Sequence, residues 1–362
     1  MKVTNVGYPE IVMSSDDPKH SYFGWPTVAR LQDGRIAVAA SGFRRRHVCP
    51  FGKTVISYSS DEGKTYTAPK AVIDTCLDDR DGGICPFGEN SFIVTSFNNS
   101  TAFQRENAKD EYDLAYLDAV DPEQEKKDIG LNFRITHDGG KTFGPMLKSP
   151  VTSPHGPTVL KDGTIVWVGR QMTVKGSPEE VREDCIAAYK MDEEGNMTFL
   201  GRLPDMTGEE NALACEPHAF QADDGTLLCQ VRFHRNDGWA NGMFTTYQSE
   251  SKDGGVTWSE PHYVVGLFDG APAHIMRHSS GVLISTYTQR TKPYVVKAMF
   301  SKDNGRTWDT EHKLYVNGYT PDLGYSSTVE LKDGSLLTVF YGHLEGKTKP
   351  ASILQVRWNI EE

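Results

Sequence analysis

Residues 251–258, SKDGGVTW, are written four times in this chain with small changes. The other copies are SSDEGKTY at 59–66, THDGGKTF at 136–143 and SKDNGRTW at 301–308. Each sets a hydroxyl residue, an aspartate, a glycine, a threonine and an aromatic ring at fixed spacing. An aspartate accepts backbone N–H groups within a tight turn, glycine supplies positive φ, and the threonine and ring start a strand that packs on its neighbours. The phrase reads as a turn between outer strands, and its recurrence as the mark of a repeat architecture.

A second pattern recurs around it: an apolar strand, an Asp-Gly-type turn and a β-branched strand. It reads GWPTVARLQDGRIAVAASG at 24–42, with further copies at 79–97, 154–170, 216–232, 272–290 and 325–341. The turn glycines are Gly34, Gly88, Gly163, Gly225, Gly281 and Gly334. Each copy is a hairpin signal, and six of them about sixty residues apart predict a radial array of four-stranded blades. The expected fold is all-β, a six-bladed β-propeller with four antiparallel strands per blade, in a single domain over 1–362. Blade three keeps only a worn short phrase, MDEEGNMTF at 191–199. Two segments break the period. Residues 100–128 form a charged, partly helical insertion in blade two, read as a solvated excursion or as a lid or oligomer contact. The segment GYPEIVM at 7–13 is expected to join the last blade and close the ring, which removes a free sheet edge.

Composition narrows the function classes. With 34 glycines and 19 prolines in 362 residues, frequent turns are favoured over long helices. No run is long enough for a membrane-spanning helix, and the N-terminus lacks the layout of a secretory signal. The chain therefore reads as soluble and cytoplasmic, although one whose signal had been removed would read the same way. A net charge of −11 argues against nucleic acid or a membrane as partner, while leaving room for a small anionic ligand at a local arginine cluster. The six cysteines show no CxxC spacing and are expected reduced, with no metal and no cofactor.

Counting back nine from each turn glycine gives Trp25, Asp79, Pro154, Glu216, Pro272 and Tyr325, a candidate ring around one mouth of the central channel. Histidines open three inner strands: His155, His218 and His274. Arg232 and Arg170 each stand seven residues after their turn glycine, and Arg44 follows the second strand of blade one.

The short phrase resembles the Asp box, or BNR repeat, and the chain resembles the sialidase superfamily over essentially its whole length. The resemblance implies a tyrosine nucleophile, here Tyr325 in GYSSTVELKDG, and a glutamate partner, here Glu216 in CEPHAFQADDG. It also implies a sialidase-like glycoside hydrolase acting on an acidic or polyhydroxylated sugar, sialic acid or a uronic-acid-containing glycan, with a carboxylate clamp of arginines matching Arg232 and, more loosely, Arg290. A tyrosine needs a neighbouring base to become a nucleophile, and planar guanidinium groups suit a carboxylate. Two departures stand out. The family's first arginine is replaced by glycine in Phe23-Gly24-Trp25-Pro26, and the loop between Gly42 and Ser60 holds no carboxylate where the family keeps its acid. His47 or Asp79 could serve as proton donor, Asp81 as an acid or a ligand for hydroxyls, and Arg44, Arg45 or Arg46 could refill the clamp. Two alternatives stay open: a His/Tyr/Arg uronate lyase or histidine-dependent glycosidase, and a glycan-binding propeller without activity.

Overall fold

The computed structural model describes residues 1–177, 183–206, 212–235, 243–270, 272–344 and 350–362. Strands β1 (Lys2–Thr4) and β2 (Glu10–Met13) come first in the chain but belong to the last blade. Blade one is β3 (Tyr22–Arg30), β4 (Ile36–Arg44), β5 (Lys53–Ser59) and β6 (Lys70–Ile73). Blade two is β7 (Arg80–Phe87), β8 (Ser91–Phe97), β9 (Leu131–Thr136) and β10 (Leu147–Lys148), with α1 (Thr101–Asn107), α2 (Glu111–Asp118) and α3 (Pro122–Asp128) between its second and third strands. Blade three is β11 (Thr158–Val159), β12 (Ile165–Gln171), β13 (Cys185–Met191) and β14 (Met197–Arg202). Blade four is β15 (Ala212–Gln221), β16 (Leu227–Arg235), β17 (Phe244–Ser251) and β18 (His262–Tyr263). Blade five is β19 (His274–Arg277), β20 (Leu283–Gln289), β21 (Val295–Ser301) and β22 (Asp309–Tyr315). Blade six is β23 (Gly324–Glu330), β24 (Leu336–Gly342) and β25 (Ser352–Glu361), completed on its outer edge by β1 and β2.

The ring is closed as the sequence predicts: β2 pairs with β25 through Glu10↔Gln355 and Met13↔Ile353, so the two ends of the chain share one sheet. Between blades, apolar faces meet in buried clusters such as Phe23, Val38, Val55, Val339 and Tyr341 at the junction of blades one and six. The six cysteines are unpaired. No helix among the described residues is long and apolar enough to cross a membrane.

All four Asp-box phrases lie between third and fourth strands, and each forms the same network. In residues 301–308, Ser301 Oγ donates to Asp303 Oδ1 at 2.7 Å, and Thr307 donates to Asp303 from its backbone at 2.9 Å and its hydroxyl at 2.6 Å. The turn also fastens neighbouring blades. Gly305 (φ 81°) leaves no room for a side chain, since a Cβ there would lie 2.3 Å from Leu228 Cδ1 of blade four. Gln248 Nε2 of blade four donates to Gly305 O at 2.8 Å, and Trp308 Nε1 donates to Gln248 Oε1 at 2.9 Å. Blades one and six repeat the arrangement, with Gln355 donating to Gly63 O and Tyr66 donating to Gln355.

Alternating strand direction places these turns on the face opposite the starts of the inner strands. The mouth is formed by those starts and by the loops between second and third strands, which carry His47 and the helical insertion. That insertion is a brace on blades one and two. Arg45 pairs with Asp110 and Asp113, Arg46 pairs with Asp113, and Gln104 Nε2 donates to Asp78 at 3.0 Å.

Candidate active site

The inner strands share one backbone device. Trp25, Asp81, Glu216 and Tyr325 have φ of 56°, 59°, 53° and 53°, a left-handed conformation that non-glycine residues seldom adopt. Each sits where the pairing with the second strand slips: between Gly24 and Thr27, Arg80 and Gly83, Cys215 and His218, and Gly324 and Ser327. Such bulges re-aim a side chain at a cost in strain, and they gather at functional sites. Blades three and five have Pro154 and Pro272 at the nine-residue offset, and a proline ring cannot take positive φ.

In blade two the device falls on Asp81 and not on Asp79. Its hairpin is closed by three residues, with Phe87 paired to Ser91, whereas in blade one Arg30 pairs with Ile36 across five. The turn glycine therefore lies two residues nearer the bulge. The Asp79 carboxylate is buried away from the rim, accepting from Thr75 N at 2.7 Å, Thr75 Oγ1 at 2.9 Å and Asn98 Nδ2 at 3.3 Å.

Two rim side chains meet at the mouth. Tyr325 Oη donates to Glu216 Oε1 at 2.6 Å, and Arg232 Nη1 donates to Glu216 Oε2 at 2.7 Å. Burial would raise the Glu216 carboxyl, but the Arg232 charge and the Tyr325 hydroxyl hold it below the usual carboxylate range. Burial and the Glu216 charge push the Tyr325 phenol well above its ordinary value. Glu216 is thus an ionised acceptor facing an un-ionised phenol. Arg232 Nε is buried with no partner among the described residues. The guanidinium of Arg290 donates from Nε to Leu323 O at 2.8 Å and from Nη2 to Tyr341 Oη at 3.1 Å, with its carbon 5.3 Å from the Tyr325 ring centre.

Asp81 is the third left-handed acidic or phenolic residue of the ring. Burial, and then the Glu216 charge, push its carboxyl up to about 7, and its charge is felt by Tyr325 in turn.

Other candidates take different places. Arg44 is fully buried, paired with Asp78 at 2.5 and 2.9 Å, and with Arg45 and Arg46 bound to the insertion none of the three refills the clamp. Trp25 is 1% exposed, its ring 4.7 Å from the guanidinium carbon of Arg44 and 4.2 Å from that of Arg80, which share Asp78 and the His47 carbonyl. Arg170 is only partly buried and pairs with Asp184 through Nε at 2.7 Å.

The three histidines lie one layer deeper and pack on one another: His218 stacks on His274 at 4.5 Å, and His155 meets them edge-on at 5.5 and 5.1 Å. His218 Nδ1 accepts from Ile275 N at 3.0 Å and His274 Nδ1 from Thr328 N at 3.3 Å, each tying its blade to the next. Ser327 Oγ does the same for Val28 N at 3.1 Å. Burial holds all three rings below the usual histidine range, His218 at about 3, so they are neutral. Among the described residues, no group of three or more His, Cys, Asp or Glu is arranged to hold a metal ion.

His47 remains at the mouth, and its partner was missed in the sequence. Its Nδ1 lies 2.8 Å from Asp322 Oδ1, and its ring stands edge-on to Trp25 at 5.0 Å. Asp322 also accepts from Tyr22 Oη at 3.0 Å and Tyr341 Oη at 3.0 Å. Burial would raise this carboxyl, yet His343, His47 and Tyr22 hold it far below the usual range. The turn-glycine ruler contains the missed signals. Asp322, Asp78 and Tyr22 each stand three residues before a left-handed rim residue, and Tyr341 stands seven after Gly334, as Arg232 does after Gly225.

Residues 148–337 match the family model described as the BNR repeat-like domain. The chain belongs to that family. No curated protein matches it in sequence. Solved structures resemble this BNR propeller over nearly its whole length. A protein of unknown function from Dyadobacter fermentans is 19% identical with a TM-score of 0.76, covering 98% of this chain and 99% of that one. The intramolecular trans-sialidase of Ruminococcus gnavus is 15% identical with a TM-score of 0.64, covering 99% and 97%. An α-L-arabinofuranosidase of Fusarium graminearum is 10% identical with a TM-score of 0.66, covering 97% of each chain. At these identities the likeness is one of fold, a sialidase-type BNR propeller that several glycoside hydrolases share.

Proposed function

We propose that this BNR propeller is a glycoside hydrolase that attacks a polyhydroxylated sugar with Tyr325. The observation that carries the reading is the 2.6 Å contact between Tyr325 Oη and Glu216 Oε1, made by two strained rim residues of separate blades. In the first step, Tyr325 Oη bonds to the anomeric carbon and its proton passes to Glu216. The bond to the leaving oxygen breaks as the Asp81 carboxyl gives that oxygen its proton. In the second step water attacks the glycosyl-tyrosine and yields a proton to the Asp81 carboxylate, while the departing phenolate recovers its own from Glu216. Arg232 keeps Glu216 ionised between turnovers. Double displacement retains the anomeric configuration.

Proton NMR of the first-formed sugar from an aryl glycoside tests this: the account predicts retained configuration, and no turnover by Tyr325→Phe. An inverted product, or full activity in that variant, removes Tyr325 from the mechanism. A lyase would be seen by new ultraviolet absorbance from an unsaturated uronide, and a binding module by affinity without product.

A further inference from the structure

Position 24 is where the resemblance places a carboxylate-binding arginine, and here it is glycine facing an occupied corner. A Cβ on Gly24 would lie 3.3 Å from a ring carbon of Tyr22, 3.6 Å from one of Tyr341 and 3.7 Å from the Tyr22 hydroxyl. Both hydroxyls point to Asp322, so the corner that would hold a cation holds an anion. We propose that the Asp322–His47 couple makes this corner of the mouth accept the hydroxyl of an uncharged sugar and reject a carboxylate. The inference rests on reading the mouth as a sugar site, but not on hydrolysis there.

An ionised carboxylate only accepts hydrogen bonds, so the proton shared at 2.8 Å sits on His47 Nδ1 and the lone pair is on Nε2. Burial, together with the charges of Arg80 and Arg290, outweighs the pull of Asp322 and keeps the ring neutral. The His47 side chain is 43% exposed, within reach of an incoming donor. A sugar hydroxyl supplies that donor. A carboxylate would set its oxygens against the lone pair, with the Asp322 charge behind it. The mouth's arginines offset this only in part: Arg170 and Arg232 are paired with Asp184 and Glu216, Arg80 shares Asp78 with Arg44, and Arg290, which donates to the neutral Leu323 O and Tyr341 Oη, keeps its charge. Asp322 is a positioning residue: it fixes the tautomer and charge of the group that meets the sugar.

The test uses the Tyr325→Phe chain, so that binding is read without turnover, and saturation-transfer NMR with D-galactose against D-galacturonic acid and L-arabinose against N-acetylneuraminic acid. The neutral member of each pair is expected to bind at least about tenfold more tightly. Asp322→Asn should narrow that gap to about threefold or less, and His47→Lys, at a half-buried loop position, should reverse it. Equal or tighter binding of the acids, a gap unchanged in both variants, or no binding of either neutral sugar overturns the proposal. Selectivity of the expected sign in a chain whose native form turns nothing over would leave this inference standing and refute the hydrolase.

Discussion

The two faces of the propeller use repetition in opposite ways. On one face, four Asp-box turns keep both backbone and side chains, and each aspartate makes the same bonds to its own turn. On the other, four inner strands keep the backbone device, a left-handed residue at a bulge, and fill it with tryptophan, aspartate, glutamate and tyrosine. Where a repeat preserves its side chains it is building the blade. Where it preserves strain and varies the side chain, the candidate catalytic groups are concentrated.

Substitutions should separate the faces. Tyr325→Phe is expected to lower turnover about 10⁴-fold or more with an unchanged thermal midpoint. Asp81→Asn should cost about 10³-fold and remove the decline in rate expected above pH 7, where the native carboxyl, pushed up to about 7, loses its proton. A rate that rises through pH 7 would exclude Asp81 as proton donor. Arg44→Met leaves Asp78 buried with only Arg80 and Gln104, and should destabilise the fold by about 3–5 kcal/mol, read by calorimetry.

The histidine layer predicts a pH signature. Below about pH 6.5 an unfolded chain protonates His155, His218 and His274, while the folded rings stay neutral. Their contribution is complete above that pH and is lost as pH falls toward 3, by up to about 1.4 kcal/mol per ring per pH unit. Asp79 and Asp81, both pushed up to about 7, act in the opposite sense, losing stability as pH rises from about 4 to 7. His218→Gln isolates one ring: its melting temperature should fall less steeply than the parent's between pH 6 and 4, and parallel slopes would contradict the assignment. The smallest effect is expected on the other face, where Asp303→Ala should cost about 1 kcal/mol of stability and leave turnover intact.

The architecture was legible because blade construction is local: turn aspartates, turn glycines and alternating strands are written within a few residues of one another. The Tyr325–Glu216–Arg232 group was legible because its two blades share the nine-residue offset from the turn, with Arg232 seven residues past its own turn glycine. The offset points to Asp79 as the blade-two rim residue because it assumes one hairpin length, and blade two closes its hairpin with two residues fewer. Arg44, Arg45 and Arg46 read as spare cations since nothing in sequence shows that Asp78, Asp110 and Asp113 fold onto them. Asp322 was missed for a related reason: its partner His47 is 275 residues away, and only ring closure brings them together.

The central claim is that Tyr325 forms a bond to the sugar. Peptide mass mapping after incubation with a fluorinated, activated glycoside of a sugar the protein turns over tests it directly. The account predicts one glycosyl unit on the peptide containing Tyr325, absent from Tyr325→Phe; an adduct on Glu216 or elsewhere, or turnover with inverted configuration and no adduct, would contradict it.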